Sequence, residues 1–157
     1  MSKPYISNKE AFQKAKHYCA YQERCHTEVK EKLYTFGLST HEVDLAISQL
    51  IEENYLNEER FAILYAGGHF RTKNWGRVKI RYELKKKQVS DYCIKKALVE
   101  IEEADYSITL RKLAVSKLNT LKQANNHYAR RRQLQEYLRS KGFESDLINN
   151  LLAELLN

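Results

Sequence analysis

The sequence predicts an all-α fold built from three tandem three-helix repeats, and two observations support this prediction. First, a set of apolar positions recurs along the chain at fixed offsets. It occurs at Lys30–Leu50, again at Arg81–Ile101 and a third time at Gln135–Leu155, with no gap needed inside the matched stretches. Second, the 157 residues include only one proline and five glycines, so few helix breakers interrupt the periodic segments.

Each copy is predicted to form a helix, a short turn and a second helix, because its apolar residues recur at i, i+4 and i+7. Such a unit cannot bury its apolar stripe alone, so neighbouring units must stack and share a core. We assign the first repeat to residues 1–56, the second to residues 57–104 and the third to residues 105–157.

The first two helices have recognisable ends. The first is expected to begin after Ser7, because Ser7 and Glu10 have the spacing of a capping box, and to reach about Gln22. The second is predicted over Thr27–Phe36. It ends at Gly37, the residue type that most readily adopts a left-handed conformation at a helix C-terminus.

The next two helices also begin at polar caps. The third is predicted to start at Ser39, again with a capping box, and to end near Glu53. The fourth follows a cap at Asn57. Gly67 and Gly68 weaken it, which predicts either that the helix ends there or that another helix crosses closely. The remaining helices are predicted at Arg77–Lys87, at Ser90–Glu102, from a cap at Asp105 through Leu118, at Ala129–Ser140 and at Ser145–Leu156, with a turn at Gln123–Asn126.

The charges are segregated along the chain. The net charge is +7, but residues 71–96 carry ten Lys and Arg against two acids, and residues 111–141 carry nine against one. Residues 42–59 hold six acids and no base. A surface polarised in this way suits binding to nucleic acid or to the acidic face of a protein.

Several classes of protein are disfavoured. No apolar run approaches the roughly 20 residues that span a bilayer, and the first residues lack the apolar core of a signal peptide. Three cysteines without framework spacing favour a reducing compartment. We therefore expect a soluble cytoplasmic protein with no membrane partner.

No motif for catalysis or metal binding is present. The sequence has no glycine-rich phosphate loop and no recognisable nucleophile arrangement, and His17, Cys19, Cys25 and His26 lack the second ligand pair of a zinc site. An enzyme that forms a tyrosyl–DNA linkage would use Arg, His and Tyr, but these residues are so abundant here that their presence discriminates nothing. We predict no catalytic residue, no metal, no cofactor and no small-molecule substrate.

The basic residues include one ordered row. Arg77, Arg81 and Lys85 recur at i, i+4 and i+8 beside the apolar positions Ile80 and Leu84, and the equivalent row of the third repeat is again partly basic. This row predicts a binding surface, although a charged flank that keeps a helix soluble is the alternative.

Two dense basic runs, Lys85–Lys87 and Arg130–Arg132, and a lone tryptophan add to this surface. The runs would neutralise phosphates without sequence preference, or they are solvated helix ends. Trp75 could stack on a base or anchor a protein contact, or it packs inside the molecule. The residues that we assign to a partner- or DNA-binding surface are Arg71, Lys73, Trp75, Arg77, Lys79, Arg81, Lys85, Lys86, Lys87, Arg130, Arg131, Arg132 and Arg139.

Several motifs together resemble one known family. The junction Tyr55–Ala62 resembles the signature of the RecX family, the regulators of the bacterial recombinase RecA. Further similar motifs follow in the expected order, namely Gln22–Arg24 before Phe36–Leu38, Gly76–Ile80 before Glu83 and Leu84, and Tyr137 and Leu138 before Lys141–Phe143. Cys25 stands where that family usually has a serine, and Gln88 replaces a turn glycine.

The resemblance implies an elongated, curved helical array that has no active site of its own. Its partners would be the RecA recombinase and its filament on single-stranded DNA, whose extension, ATPase and strand exchange it would modulate, with inhibition as the expected direction. Some members of the family also bind DNA, so single- or double-stranded DNA is a second expected partner. The alternative is a DNA-binding helical repeat protein that has no recombinase partner.

Overall fold

The structure is a computed structural model that describes residues 6–121 and 126–156. Within these residues the chain forms nine α-helices and no β-strand. The helices are α1 (Asn8–Tyr21), α2 (His26–Thr35), α3 (Thr40–Glu52), α4 (Glu58–Lys73), α5 (Arg77–Lys86), α6 (Asp91–Val99), α7 (Glu103–Thr120), α8 (His127–Ser140) and α9 (Ser145–Leu155). The prediction of an all-α helical repeat array is confirmed.

The predicted starts of α1 and α3 and the predicted end of α2 are confirmed. The Ser7 hydroxyl accepts the Glu10 N–H at 3.2 Å. Ser39 and Glu42 form a complete capping box, and these hydrogen bonds hold the pKa of the Glu42 carboxyl below its usual value. Gly37 follows α2 with φ +87°, the left-handed conformation that favours glycine.

The predictions for Gly67 and Gly68 are wrong, because α4 runs through both residues without interruption. No close crossing occurs either. A Cβ atom at Gly68 would meet nothing within 4 Å, and the three heavy atoms nearest to a Cβ atom at Gly67 all belong to the side chain of Arg71.

Several helix boundaries in the second half of the chain also differ from the predictions. The sixth helix ends at Val99, three residues before the predicted Glu102. The seventh helix begins at Glu103 after Glu102, so Asp105 lies in its first turn and is not its cap. The eighth helix begins two residues earlier than predicted, because the Asn126 side chain accepts the N–H groups of the two residues that follow His127. Residues 123–125 of the predicted turn lie outside the described residues.

The described residues pack as two compact units. The first contains residues 6–64 and 84–96. Helices α1, α2 and α3 pack together there around a core to which each contributes apolar side chains, including Ala15, Leu33 and Leu50. Glu58 accepts the N–H of Ser90 at 3.1 Å, so a side chain of α4 caps the start of α6.

The second unit contains residues 65–83 and 97–156, with the exception of the undescribed positions 122–125. Helix α8 packs between α7 and α9. The Tyr106 ring is buried there, with its centroid 5.0 Å from that of Phe143 and 5.8 Å from that of Phe70. The middle predicted repeat thus contributes residues to both units.

All three cysteines are free and buried. Burial raises the pKa of the Cys19 thiol to about 11, and burial also raises the pKa of Cys25 and of Cys93. Few thiolates are therefore present at neutral pH. Among the described helices, none has the length and apolarity that a membrane crossing requires.

Candidate partner-binding surfaces

The loop that precedes α5 lies directly on the turn between α8 and α9. The Gly76 N–H donates to the Lys141 carbonyl at 2.7 Å, and the Val78 N–H donates to the Gly142 carbonyl at 2.8 Å. Neither glycine has room for a side chain. A Cβ atom at Gly76 would lie 2.3 Å from the Gly142 oxygen, and one at Gly142, where φ is +96°, would lie 2.3 Å from Lys79 Cβ. We call this pair of residues the glycine contact.

Arg77 is held beside the glycine contact by four interactions. Its guanidinium lies 3.8 Å from the centroid of the Tyr106 ring and donates to Glu144 at 2.7 Å and to Glu103 at 2.6 Å. Its backbone N–H donates to the Tyr106 hydroxyl at 3.0 Å, and that hydroxyl donates to Glu144. Burial, followed by the hydrogen bond to Glu144, raises the pKa of Tyr106 well above its ordinary value. We call these four residues the Arg77 cluster.

This arrangement gives Arg77 a role within the molecule. Its side chain is only 18% exposed, and two carboxylates neutralise its charge. The row predicted along α5 is therefore divided, because Arg77 holds elements of the second unit together while Arg81 and Lys85 are exposed to solvent.

We expect Arg77→Ala to lower the free energy of unfolding by about 1.5–3 kcal/mol. The substitution removes two hydrogen bonds to carboxylates, and it leaves the half-buried Glu144 carboxylate without its arginine partner. In a double-mutant cycle with Glu144→Ala, the combined loss should be smaller than the sum of the single losses. The free energy of unfolding of the two single variants and the double variant is measured by urea denaturation, with circular dichroism as the readout.

Arg139→Ala is the matched control, because Arg139 is exposed and pairs with no carboxylate among the described residues. It should change the free energy of unfolding by no more than about 0.5 kcal/mol. Equal stabilities for the Arg77 and Arg139 variants would contradict the assigned role of Arg77.

One side of α5 is exposed and combines apolar and basic side chains. Val78 is 53% exposed and Tyr82 is 62% exposed, and these residues are one turn apart. Arg81, Lys85 and Lys86 surround them on the side opposite the buried Ile80 and Leu84. We call the five exposed residues Val78, Arg81, Tyr82, Lys85 and Lys86 the α5 face.

Two basic residues of the α5 face, Arg81 and Lys85, are little neutralised by the described residues. Arg81 pairs with no carboxylate in the part of the chain that the structure describes. Lys85 lies 3.5 Å from Asp91, but both side chains are more than half exposed, so this ion pair contributes little. The neighbouring Lys87 is different. Its ammonium lies 3.2 Å from Glu28 and its carbonyl accepts the Thr27 hydroxyl, so it is tied to α2.

The predicted basic run on α8 is not uniform either. Arg132 pairs with Glu136 one turn away at 3.2 Å, at an exposed position. Arg130 and Arg131 are half-buried, and the Nε atom of Arg130 is buried without a hydrogen-bond partner among the described residues. Arg139 is exposed at the other end of the helix.

Arg71 lies apart from the α5 face. Its guanidinium folds back along α4 into the space that Gly67 leaves, because a Cβ atom at residue 67 would lie 2.8 Å from Arg71 Nη1. The side chain lines a cleft that Phe70 and Asn74 share with Ile108 of α7. The absence of a side chain at Gly67 thus leaves room for the Arg71 guanidinium on the same helix.

Trp75 lies in a group of three rings, with His69 and Tyr65, that was not predicted from the sequence. Its ring centroid lies 4.5 Å from that of His69 in a stacked arrangement and 6.4 Å from that of Tyr65. Asn74, at φ +57°, reverses the chain so that the Trp75 N–H donates to the His69 carbonyl at 3.4 Å. A spacing of six residues is not helical, and so periodicity could not have identified His69 as a neighbour.

Two lysines lie over the half-buried indole ring. The ammonium of Lys79 is 4.8 Å from the ring centroid and that of Lys73 is 5.4 Å from it. These are distances at which a cation interacts with an aromatic ring. Of the predicted surface residues, Lys73, Trp75 and Lys79 are therefore the ones that the structure brings together around one ring.

The described residues contain no cluster of three or more His, Cys, Asp or Glu side chains that could hold a metal ion. The exposed groups are cations and aromatic rings, which bind anions and flat apolar surfaces.

Comparison with known protein families identifies two matching domain models. Residues 57–98 match the model of the second three-helix domain of RecX, and residues 105–152 match that of the third three-helix domain. Together the two matches cover more than half of the 157 residues.

Individual proteins are similar over most of the chain. A regulatory protein RecX from Prosthecochloris aestuarii is 31% identical over 148 residues, which cover 94% of this chain and 95% of the relative. One from Clostridium perfringens strain SM101 is 34% identical over 131 residues, or 83% of this chain, which spans only 61% of that relative's length. The crystal structure of RecX from Lactobacillus salivarius has a TM-score of 0.85 and 24% sequence identity. The match covers 94% of this chain and 96% of that chain, and it supports the fold.

Proposed function

The chain belongs to the RecX family, and from that premise we propose that it binds the RecA recombinase, or its filament on single-stranded DNA, and inhibits filament extension, ATPase and strand exchange. The names of the relatives give a regulatory role, and the α5 face supplies a surface suited to a protein partner. The α5 face is the observation that supports this proposal most directly.

The composition of the α5 face matches that of protein interfaces. Their centres are rich in aromatic and arginine side chains, and their rims are polar. Val78 and Tyr82 would fill an apolar depression of the partner, and Arg81, Lys85 and Lys86 would meet acidic groups around it. A basic rim also speeds association with an acidic partner, by an amount that falls with salt.

Regulation of this kind requires no chemistry in the chain. A protein that binds one state of a filament more tightly than another shifts the equilibrium toward that state. A tenfold preference corresponds to about 1.4 kcal/mol, which a few contacts on the α5 face would supply. Inhibition then means a preference for a filament state that neither extends nor turns over ATP.

The test is ATP hydrolysis by the cognate recombinase on single-stranded DNA while this chain is titrated in. We expect the rate to fall at chain concentrations far below the concentration of DNA binding sites, because each bound chain would affect a stretch of filament. An effect that begins only when the chain is abundant enough to coat the DNA would instead indicate competition for the strand. In that case the second candidate function, DNA binding without a recombinase partner, would be favoured.

That second candidate has one observation in its favour. Lys73 and Lys79 place two cations over the half-exposed ring of Trp75, an arrangement that also suits a nucleic acid. Family membership favours the recombinase partner, and the two functions are compatible in one molecule.

A further inference from the structure

We propose that the exposed side of α3 is a docking surface for a second copy of this chain, which binds there through its α5 face. This goes beyond the proposed function, because it assigns a partner to an acidic surface that the proposed function leaves unused. The self-association does not require that the chain bind a recombinase.

The exposed side of α3 carries two apolar side chains. Leu45 is 59% exposed and Ile51 is 44% exposed, whereas Val43 and Leu50 on the opposite side of the helix are fully buried. Ser48 lies between Leu45 and Ile51 in a row of residues three apart, so these three side chains are neighbours on the helix surface. An exposed apolar row of this kind, when it is bordered by charge, is typical of protein contact sites.

Two carboxylates provide that border. Asp44 and Glu52 form a second row with Ser48, at a spacing of four residues, which crosses the first row at Ser48. Both are exposed, and neither pairs with a lysine or arginine among the described residues, unlike the neighbouring Glu53, which lies 3.5 Å from Lys16. We call the five exposed residues Asp44, Leu45, Ser48, Ile51 and Glu52 the α3 face.

The α5 face complements the α3 face in both charge and shape. Each face combines two exposed apolar side chains with charged ones, which are acidic on α3 and basic on α5. Ser48 is small and its neighbours on the helix are larger, so the α3 face has a shallow hole at its centre. Tyr82 projects from the α5 face with 62% of its surface exposed. Helices pack when a side chain of one fills such a hole on the other.

A second basic and aromatic face, on α6, fits the α3 face less well. Tyr92 and Val99 are exposed there beside Lys95 and Lys96. However, residues 91–102 carry two lysines against three acids, whereas residues 77–87 carry six Lys and Arg against one acid. An acidic surface therefore attracts α5 more strongly than α6.

The contact is heterologous, because the two faces differ, so a pair of chains that share one such contact still has one α3 face and one α5 face available. One helix against another is a small interface, and we expect a Kd on the order of 10–100 µM. A chain whose α5 face is occupied by a second copy cannot use that face for a recombinase. This last consequence rests on the proposed function.

Sedimentation equilibrium of the chain alone tests the self-association. At about 150 mM salt, the weight-average mass should equal that of one chain at about 1 µM and exceed it at about 300 µM. At about 500 mM salt the mass should fall again, because salt screens the exposed ion pairs of the contact. A chain that stays monomeric at the high concentration, or a mass that does not respond to salt, would overturn the proposal.

An exchange of charge tests the two faces themselves. Asp44→Lys with Glu52→Lys, and separately Arg81→Glu with Lys85→Glu, should each weaken self-association about tenfold or more, since each places like charges together. An equimolar mixture of the two variants should associate again, because the altered α3 face then meets the altered α5 face. A defect in folding would not produce this recovery. If the mixture stays monomeric, the assigned contact is wrong.

Two matched controls change the charge elsewhere. Lys95→Glu with Lys96→Glu lowers the net charge by four units on α6, and Glu31→Lys with Glu100→Lys raises it by four units at exposed positions outside α3. Both controls should self-associate nearly as well as the parent chain. If they lose association as the α5 and α3 variants do, net charge governs the effect and the proposal fails.

The variant at Asp44 and Glu52 also separates this proposal from the proposed function. It retains the α5 face, so it should inhibit recombinase ATPase at the same low concentration as the parent chain. Loss of that inhibition would mean that the α3 face binds the recombinase and not a second copy. No recombinase is present in the sedimentation measurements, so their failure is distinguishable from failure of the proposed function.

Discussion

Gly76→Ala is expected to lower the free energy of unfolding by about 2–4 kcal/mol, because the new methyl group collides with backbone atoms that cannot rotate away. Its Cβ atom would lie 2.3 Å from the oxygen and 2.4 Å from the carbonyl carbon of Gly142, and 2.6 Å from the nitrogen of Phe143. Relief of the collision requires the loop before α5 to move off the turn between α8 and α9. That movement breaks the hydrogen bonds of 2.7 Å and 2.8 Å that Gly76 and Val78 donate there.

Gly68→Ala is the matched control and should have the opposite sign. Gly68 lies inside α4, where a Cβ atom would meet nothing within 4 Å. Alanine should therefore stabilise the helix by up to about 1 kcal/mol. Urea denaturation of the two variants and the parent chain measures both effects. A Gly76 variant as stable as the parent would show that the glycine contact is not as tight as described.

Charge reversal on the α5 face is expected to have the largest effect on function. Arg81→Glu, Lys85→Glu and Lys86→Glu together should raise at least tenfold the chain concentration that half-inhibits recombinase ATPase. Each substitution replaces an attraction to an acidic partner with a repulsion, and like charges placed together at an interface are costly. Tyr82→Ala, which removes the large aromatic side chain of the same face, should act in the same direction without a change of charge.

The control for charge reversal is a triple variant at Lys9, Lys95 and Lys96, each changed to glutamate. It lowers the net charge from +7 by the same six units, and all three residues are exposed and lie on helices other than α5. This variant should inhibit nearly as well as the parent chain. If both triple variants lose inhibition equally, overall charge governs the effect and the α5 face has no special role.

The helices and most of their ends could be predicted because the signals are local. Periodic apolar residues such as Ile80 and Leu84 are fully buried as expected, and Ser7, Ser39 and Gly37 cap their helices as expected. Each of these features depends on residues within about one helical turn. Gly68 misled the prediction because helix propensity is weak and packing of the rest of α4 overrides it.

The candidate site was less predictable because its contacts join distant residues. Arg77 has the spacing of a surface row, but its partner Glu144 is 67 residues away in sequence and has no helical relation to it. The proximity of Gly76 and Gly142 likewise follows from the fold. Gly76, Arg77 and Gly142 all belong to the motifs that resemble the RecX family, and in the structure each of them makes contacts inside the second unit.

The most direct test of the central claim compares the affinity of this chain for two targets under the same conditions. A fluorescently labelled chain is titrated with recombinase filament preassembled on oligothymidylate with a non-hydrolysable ATP analogue, and separately with bare oligothymidylate, at about 150 mM salt. We expect binding to the filament at least tenfold tighter than to the bare strand, and loss of that preference in the α5-face triple variant. Equal affinities for filament and bare strand would contradict the proposed function, since the recombinase would then contribute nothing to recognition.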